Sequence, residues 1–113
     1  MTIRAFIDES LRQGFALATD GVSIQVRHEQ PIPESIRERV KADRAAIIGE
    51  LMSLQDEWLA RVASHLQQPP ERLISGKVID QFDLMELWTI DPALAASQYQ
   101  ASPLLLALRN KQP

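Results

Sequence analysis

Twelve residues near the start of the chain, ALATDGVSIQVR (16–27), have the pattern of a complete β-hairpin, and little else in the sequence resembles a strand. Asp20-Gly21 is typical of a type I′ turn, because both central residues of that turn take positive φ. A two-residue loop would pair Leu17 with Ile24. Two strands alone bury too little apolar surface to be stable in water. The hairpin must therefore be completed by flanking helices, by a second polypeptide, or by both.

This pairing divides the hairpin into two unlike faces, because side chains alternate along a strand. The large apolar side chains fall on one face, and they are Phe15, Leu17, Val22, Ile24 and Val26. The other face receives Ala16, Ala18, Ser23 and Gln25. One face is suited to burial, whereas the other is small and mildly polar.

Helical patterns lie on both sides of the hairpin. Residues 3–13 carry apolar side chains at helical spacing, and Gly14 follows where a helix tends to end. A second pattern extends from 33 to about 67, which as one helix would be about 50 Å long and too long for a compact monomer. Gly49 weakens this helix, and a serine and an aspartate beyond it resemble a capping box. We therefore expect a bend or break near residues 49 to 54.

The Gln-Gln-Pro-Pro run at 67–70 marks the clearest boundary in the chain. Short helices are expected after it, in PERLIS up to Gly76, in KVIDQFDLMELW (77–88), after Asp91-Pro92 and from Pro103. The predicted fold class is α+β and mostly helical.

The predicted domain organisation has three parts. They are a helix–hairpin–helix module at 1–52, a helical continuation or linker at 53–68, and a small helical C-terminal segment at 69–113. The expected core of the module is Phe6, Leu17, Ile24, Val26, Ile36, Val40, Ile47 and Leu51. The helical remainder is expected to pack through Trp58, Phe82, Met85 and Trp88.

Composition narrows the class of protein. A formal charge of −3 argues against a dedicated nucleic-acid binder, and the absence of cysteine removes disulfides and thiolate metal sites. The start, MTIRAFIDES, lacks the apolar run of a signal peptide, and no stretch has the apolar length of a membrane span. We expect a cytoplasmic protein with no membrane association.

No catalytic motif is present in the sequence. His28 and His65 lie on different predicted elements, and neither has a second ligand at metal-binding spacing. No serine occupies a nucleophile turn, and no glycine-rich loop is available to hold a phosphate. We therefore predict a non-enzymatic protein with no cofactor, no metal site and no catalytic residues.

Arg44 is the most informative charged residue, because helical spacing places it within the apolar stripe near Val40 and Ile47. Arg37 and Lys41 flank the same side. Either the Arg44 stem covers the core while its guanidinium reaches water, or the cation pairs with a carboxylate of another chain.

Asp80, Asp83 and Glu86 recur at a spacing of three, with Trp88 at the end of the same predicted helix. Three carboxylates on one helix side suit a hard cation or acid–base chemistry. A solvated helix face is the simpler interpretation and is favoured. A third interpretation is that this acidic side, with Trp88, meets a basic partner.

Residues 5–52 resemble the TubC-type N-terminal docking domain, known from tubulysin synthetase. The resemblance is carried by Leu11 and Gly14 at the end of the first helix and by Leu17, Asp20-Gly21, Ile24 and Val26 in the hairpin. It continues through Pro33-Glu34 and the pattern IRERVKADRAAIIGEL that ends at Leu51. The resemblance implies a small homodimer at the front of a peptide- or polyketide-synthesising subunit. Such a dimer receives a short acidic C-terminal segment of another protein along its hairpin.

The implied mode of binding is strand addition supported by basic residues. Carried over by position, the receiving strand is Ser23 to Arg27, and Arg44 keeps the charge of a lysine that is frequent in the family. The implied partner-binding residues are Ser23, Gln25, Val26, Arg27, Arg37, Lys41 and Arg44.

Residues 53–113 resemble none of the catalytic domains that follow such a docking domain, so we do not expect a megasynthase subunit. The favoured function is a non-enzymatic interaction module that dimerises and captures a partner segment. The alternative is a small phage or plasmid regulator or inhibitor. A regulator would touch nucleic acid through the basic cluster Arg37, Arg39, Lys41 and Arg44, although nearby acids neutralise much of it. An inhibitor would cover a basic protein surface with residues 78–91.

Overall fold

In the computed structural model, which describes residues 1–110, helices flank one hairpin near the start of the chain and then follow one another. The elements in chain order are α1 (Ile3–Arg12), β1 (Ala16–Thr19), β2 (Ile24–Arg27), α2 (Glu34–Ala42), α3 (Arg44–Leu66), α4 (Pro70–Ser75), α5 (Gln81–Leu87), α6 (Pro92–Tyr99) and α7 (Pro103–Asn110). The predicted α+β, mostly helical fold is confirmed, as is the helix–hairpin–helix order. No helix in the described part of the chain is both long and apolar enough to cross a bilayer.

The chain divides into two compact units, Met1–Leu54 and a second that begins at Gln55. α3 continues from Arg44 to Leu66, so the predicted break near residues 49 to 54 is wrong. Gly49 costs a helix only about 1 kcal/mol relative to alanine. Ile47 and Leu51 on either side of it are both fully buried, and their burial outweighs that cost.

The interruption lies earlier, at Asp43, whose φ of −114° and ψ of 28° separate α2 from α3. Helical hydrogen bonds continue across it, because the Asp43 N–H donates to the Arg39 carbonyl at 3.0 Å and the Ile47 N–H donates to the Asp43 carbonyl at 2.9 Å. The two helices therefore meet at a single distorted residue.

Local capping explains where α1 begins and ends. The Thr2 side chain accepts from the Ala5 N–H at 3.0 Å and caps the first turn. At the other end Gly14 has a φ of +96°, and the Phe15 N–H donates to the Ser10 carbonyl at 2.8 Å in a Schellman motif. The predicted helix end at Gly14 is confirmed, and this turn sends the chain directly into β1.

Apolar side chains from α1, the hairpin, α2 and α3 form the core of the first unit. Its buried residues include Phe6, Ile7, Phe15, Leu17, Ile36, Ile47 and Leu51. Of the residues predicted to be buried there, Ile24, Val26 and Val40 are only half-buried. All three retain exposed apolar surface, and Val26 and Val40 line a groove between β2 and α2.

The second unit has its own apolar core, built from α3 after residue 54 and from α4 to α7. Its cluster comprises Trp58, Leu59, Val62, Ala63, Leu66, Leu73, Val78, Ile79, Leu84, Ala95, Ala96, Leu105 and Leu108. The prediction that Phe82 packs in this core is wrong, because its side chain is 67% exposed. α5 begins only at Gln81, and it turns Leu84 inward instead. Met85 and Trp88 are half-buried.

Candidate functional site

The hairpin loop contains four residues, Asp20–Ser23, rather than the two predicted from Asp20-Gly21. The Thr19 hydroxyl donates to the Ser23 carbonyl at 2.6 Å and accepts from the Gly21 N–H at 3.0 Å. The Asp20 carboxylate accepts from the N–H groups of Val22 and Ser23, at 2.8 and 2.7 Å. The hydrogen bond from the Ser23 N–H, and then that from Val22, lowers the pKa of Asp20.

The longer loop shifts the strand pairing by two residues, so that Leu17 faces Val26 and Thr19 faces Ile24. The predicted pairing of Leu17 with Ile24 is therefore wrong. The two faces of the hairpin are unchanged, because a shift of two keeps each side chain on its own side. Val22 leaves the apolar face for the loop, where it is 75% exposed.

β2 is the more exposed of the two strands. The sheet formed by the described residues has only the order β1–β2, so the outer edge of β2 has no neighbouring strand within residues 1–110. Gln25 and Arg27 are exposed, whereas Leu17, Ala18 and Thr19 of β1 are buried. Alternate N–H and C=O groups of an edge strand point outward and remain available for pairing.

A groove lies between β2 and α2, and we call it the β2–α2 groove. Its lining residues are Val26, Ile32, Ile36, Arg37, Val40 and Lys41, and its volume is about 230 Å³. Four of the six are aliphatic, so the groove is apolar with two cations at its rim. A ligand pocket for a drug-sized molecule usually measures about 300–1,000 Å³. The β2–α2 groove is smaller, and its size suits a single apolar side chain.

The two rim cations of the β2–α2 groove are exposed and form no ion pair within residues 1–110. Other bases of the predicted basic cluster are engaged within the chain. Arg39 pairs with Asp43, donates to the Met1 carbonyl at 3.0 Å, and lies over the Phe6 ring at 5.3 Å from its centroid. Arg37 and Lys41 are therefore the exposed members of the cluster that line the β2–α2 groove.

Arg44 is the first residue of α3 and lies on the same helix side as Ile47 and Leu51, which are buried. It is exposed, and its guanidinium donates to the Val22 carbonyl at 2.8 Å. The Arg44 head therefore binds a main-chain carbonyl of its own chain, an arrangement that neither interpretation from the sequence included. Arg44 instead holds the hairpin loop against α3.

Ser23 also differs from its predicted role in the receiving strand. It lies in the loop, where its N–H and hydroxyl contact Asp20 and its carbonyl accepts from Thr19. β2 comprises only Ile24–Arg27, so Ser23 lies outside the strand.

A second cavity, of about 770 Å³, opens at the end of the hairpin away from the loop. It is lined by the end of α1 and by Phe15, Val26, Arg27 and His28, among others. His28 Nδ1 contacts the Gln30 carbonyl at 2.6 Å. The cavity continues the exposed surface of β2 beyond the last residue of the strand.

The acidic residues of the C-terminal segment do not form one helix side. Asp80 precedes α5 and accepts from the Asp83 N–H at 2.8 Å, while the Asp83 carboxylate accepts from the Asp80 N–H at 3.3 Å. This reciprocal capping box accounts for two of the three carboxylates. Glu86 and Trp88 lie further along the segment and are half-buried.

Tyr99 contacts the same capping box. Its burial, and then the charge and hydrogen bond of Asp83, raise the pKa of the Tyr99 phenol. Asp80 and Asp83, which were predicted to belong to an acidic surface, thus cap α5, and Asp83 also forms a hydrogen bond with Tyr99. Within residues 1–110 no three histidine or acidic side chains converge in an arrangement that could hold a metal ion.

No family model, curated protein or solved structure matches this chain. The resemblance to the docking-domain family therefore remains a prediction from the residues themselves.

The structure brings together some of the predicted partner-binding residues and separates others. Val26, Arg37 and Lys41 line one groove, whereas Arg44 and Ser23 belong to the loop. Ile32, which is not among the predicted partner-binding residues, lines the same groove. Its position between two prolines was the available signal, because a residue that precedes proline is held extended and presents its side chain in a fixed direction.

Proposed function

We propose that the first unit is a docking module that captures an extended segment of another protein by strand addition at the outer edge of β2. The observation that supports this most directly is that the strand edge of β2 with no neighbouring strand within residues 1–110 lies beside the β2–α2 groove. An added strand gains main-chain hydrogen bonds, and the groove selects one of its side chains.

The chemistry of the groove defines the partner segment. Val26, Ile32 and Ile36 offer an apolar surface to one side chain on the groove side of the added strand. Arg37 and Lys41 stand at the rim and favour a carboxylate nearby. The expected segment is therefore extended, with an apolar anchor and one or two acidic residues.

The regulator and inhibitor hypotheses have less support from the geometry. A nucleic-acid surface would need the basic cluster to be available, and Arg39 and Arg44 are engaged within the chain. An inhibitor surface at 78–91 would need its carboxylates to contact the partner, whereas Asp80 and Asp83 form the capping box of α5.

The charge contribution is tested by selecting peptides from a random displayed library on the full-length protein. We expect enriched sequences with an apolar residue near acidic ones. Arg37→Glu with Lys41→Glu should then weaken binding by about tenfold, since two charge pairs of somewhat less than 1 kcal/mol each are removed and replaced by repulsion. Arg61→Glu with Lys77→Glu is the matched control. It makes the same charge change at two exposed positions of the second unit.

The strand-addition step is tested by proline at Gln25 and at Val26. Adjacent residues of a strand direct their N–H groups to opposite edges, so one substitution interrupts the pairing with β1 and the other removes only an outward donor. The variant that keeps the circular dichroism and melting temperature of the wild type is the informative one. Undiminished peptide binding by that variant would rule out strand addition.

We also propose that the module is a homodimer. Val22 is 75% exposed and Met52 is 46% exposed, and the Met52 side chain lies beside Gly21 of the same loop. These side chains leave apolar surface uncovered at the hairpin loop. Light scattering during size exclusion should give twice the 12.7 kDa of one chain. Met52→Asp should shift the mass toward the monomer, and a monomeric wild type would refute this proposal.

A further inference from the structure

The second unit contains a groove of its own between α3 and α4, which we call the α3–α4 groove. Its volume is about 580 Å³, and its lining residues are Asp56, Leu59, Pro70, Glu71, Ile74 and Ser75. This volume lies in the range that accommodates an inserted side-chain cluster or a small ligand.

The floor of this groove is apolar and held in place. Leu59 is 8% exposed and belongs to the core of the second unit, whereas Ile74 is 41% exposed and contributes open apolar surface. α4 is fixed by Leu73, which is fully buried, and by Pro69 and Pro70 at its start. A preformed apolar groove of this kind binds without a large ordering cost.

The rim of the α3–α4 groove is acidic. Asp56 and Glu71 are exposed, no basic residue lines the groove, and neither carboxylate forms an ion pair within residues 1–110. The surrounding sequence has the same bias, with seven acidic and four basic residues between positions 55 and 110. A segment bearing carboxylates would be repelled here, and one bearing cations would be attracted.

We infer that the α3–α4 groove is a docking site for an amphipathic helical segment of another protein, with a large apolar anchor flanked by lysine or arginine. A helix is the expected form, because both walls are helices whose backbone groups are already paired and offer no strand edge. The anchor contacts Leu59, Pro70 and Ile74, and the flanking cations face Asp56 and Glu71. This inference rests on residues of the second unit and does not depend on the proposed function of the first.

The test is a selection from a random displayed peptide library on the full-length protein, followed by calorimetry with the enriched peptides. Peptides of this class should combine a leucine or an aromatic residue with lysine or arginine at helical spacing. Asp56→Lys with Glu71→Lys should weaken their binding by about tenfold or more. Ile74→Asp should do the same by removing apolar surface from the groove. Glu29→Lys with Glu38→Lys is the matched control, because it makes the same charge change at exposed positions of the first unit.

The controls separate this inference from the proposed function. Arg37→Glu with Lys41→Glu should leave the binding of basic peptides unchanged. The inference is overturned if no basic amphipathic peptides are enriched, or if those enriched bind the Asp56 and Glu71 variant as well as the wild type. It is also overturned if Ile74→Asp converts a dimeric wild type into a monomer, because the occupant is then a second copy of this chain.

Discussion

Replacing Thr19 with valine isolates the side chain that holds the hairpin loop in its four-residue form. Thr19 is fully buried, and its hydroxyl donates to the Ser23 carbonyl at 2.6 Å and accepts from the Gly21 N–H at 3.0 Å. Valine has nearly the same shape, so the substitution removes the hydroxyl with little change in packing.

The expected decrease in stability follows from those two hydrogen bonds. A hydrogen bond within a protein contributes about 1 kcal/mol net, and a buried polar group left without a partner costs about 1–3 kcal/mol. Removing both hydrogen bonds from this partly buried loop should reduce the free energy of unfolding by about 2–3 kcal/mol. This is a substantial part of the roughly 5–15 kcal/mol that stabilises a typical domain.

The measurement is urea unfolding followed by far-ultraviolet circular dichroism. Tryptophan fluorescence is unsuitable, because Trp58 and Trp88 both lie in the second unit. Amide hydrogen exchange at Leu17 and Val26 adds a local readout of the hairpin. Thr19→Ser is the control, because it keeps the hydroxyl and removes only a methyl group, at about 1 kcal/mol. A stabilising role of the Thr19 hydroxyl is refuted if Thr19→Val unfolds at the wild-type urea concentration while Thr19→Ser unfolds earlier.

Four further predictions concern single positions. Gly49→Ala should raise the free energy of unfolding by about 0.5–1 kcal/mol, because an added Cβ meets nothing within 4 Å in α3; a lower melting temperature would contradict this. Gly76→Ala should lower it by about 1–3 kcal/mol, because the new Cβ would lie 2.9 Å from the carbonyl oxygen of Arg72; an unchanged urea midpoint would argue against that close approach. Lys77→Gly should raise the free energy of unfolding by up to about 1 kcal/mol, because Lys77 has a φ of 60° that glycine adopts without strain. Chemical denaturation of the variant and the wild type measures this difference. Tyr99 has a pKa raised above its ordinary 10.0, so its neutral form stabilises the fold fully below pH 10 and this contribution is lost as pH rises further. Ultraviolet titration of this single tyrosine should show late ionisation that Asp83→Asn moves toward the ordinary value; an ordinary titration in the wild type would refute the buried placement.

Features set by local backbone chemistry could be predicted from the sequence. The end of α1 at Gly14 and the starts of α4, α6 and α7 near Pro70, Pro92 and Pro103 all follow from residues that restrict φ or remove a donor. The two faces of the hairpin also follow from the sequence, because alternation along a strand survives a shift of two residues.

The candidate site could be predicted only in part. The hairpin and the cations Arg37 and Lys41 were identified from the pattern, and the structure places both beside one groove. Ile32 was missed because its contribution depends on how the chain enters α2. The α3–α4 groove was missed altogether, because Leu59 and Ile74 are distant in sequence and meet only in the folded second unit.

Sequence alone thus determined the fold class, most helix boundaries and the apolar face of the hairpin, since each depends on φ preferences or on a short periodicity. Tertiary structure decided the pairing of Leu17 with Val26, the exposure of Phe82 and the hydrogen bond from Arg44 to Val22. In each case at least two arrangements have similar local free energy, for example a two-residue and a four-residue turn. Buried side-chain hydrogen bonds and core packing between distant residues determine which arrangement forms. No local sequence pattern predicts that outcome.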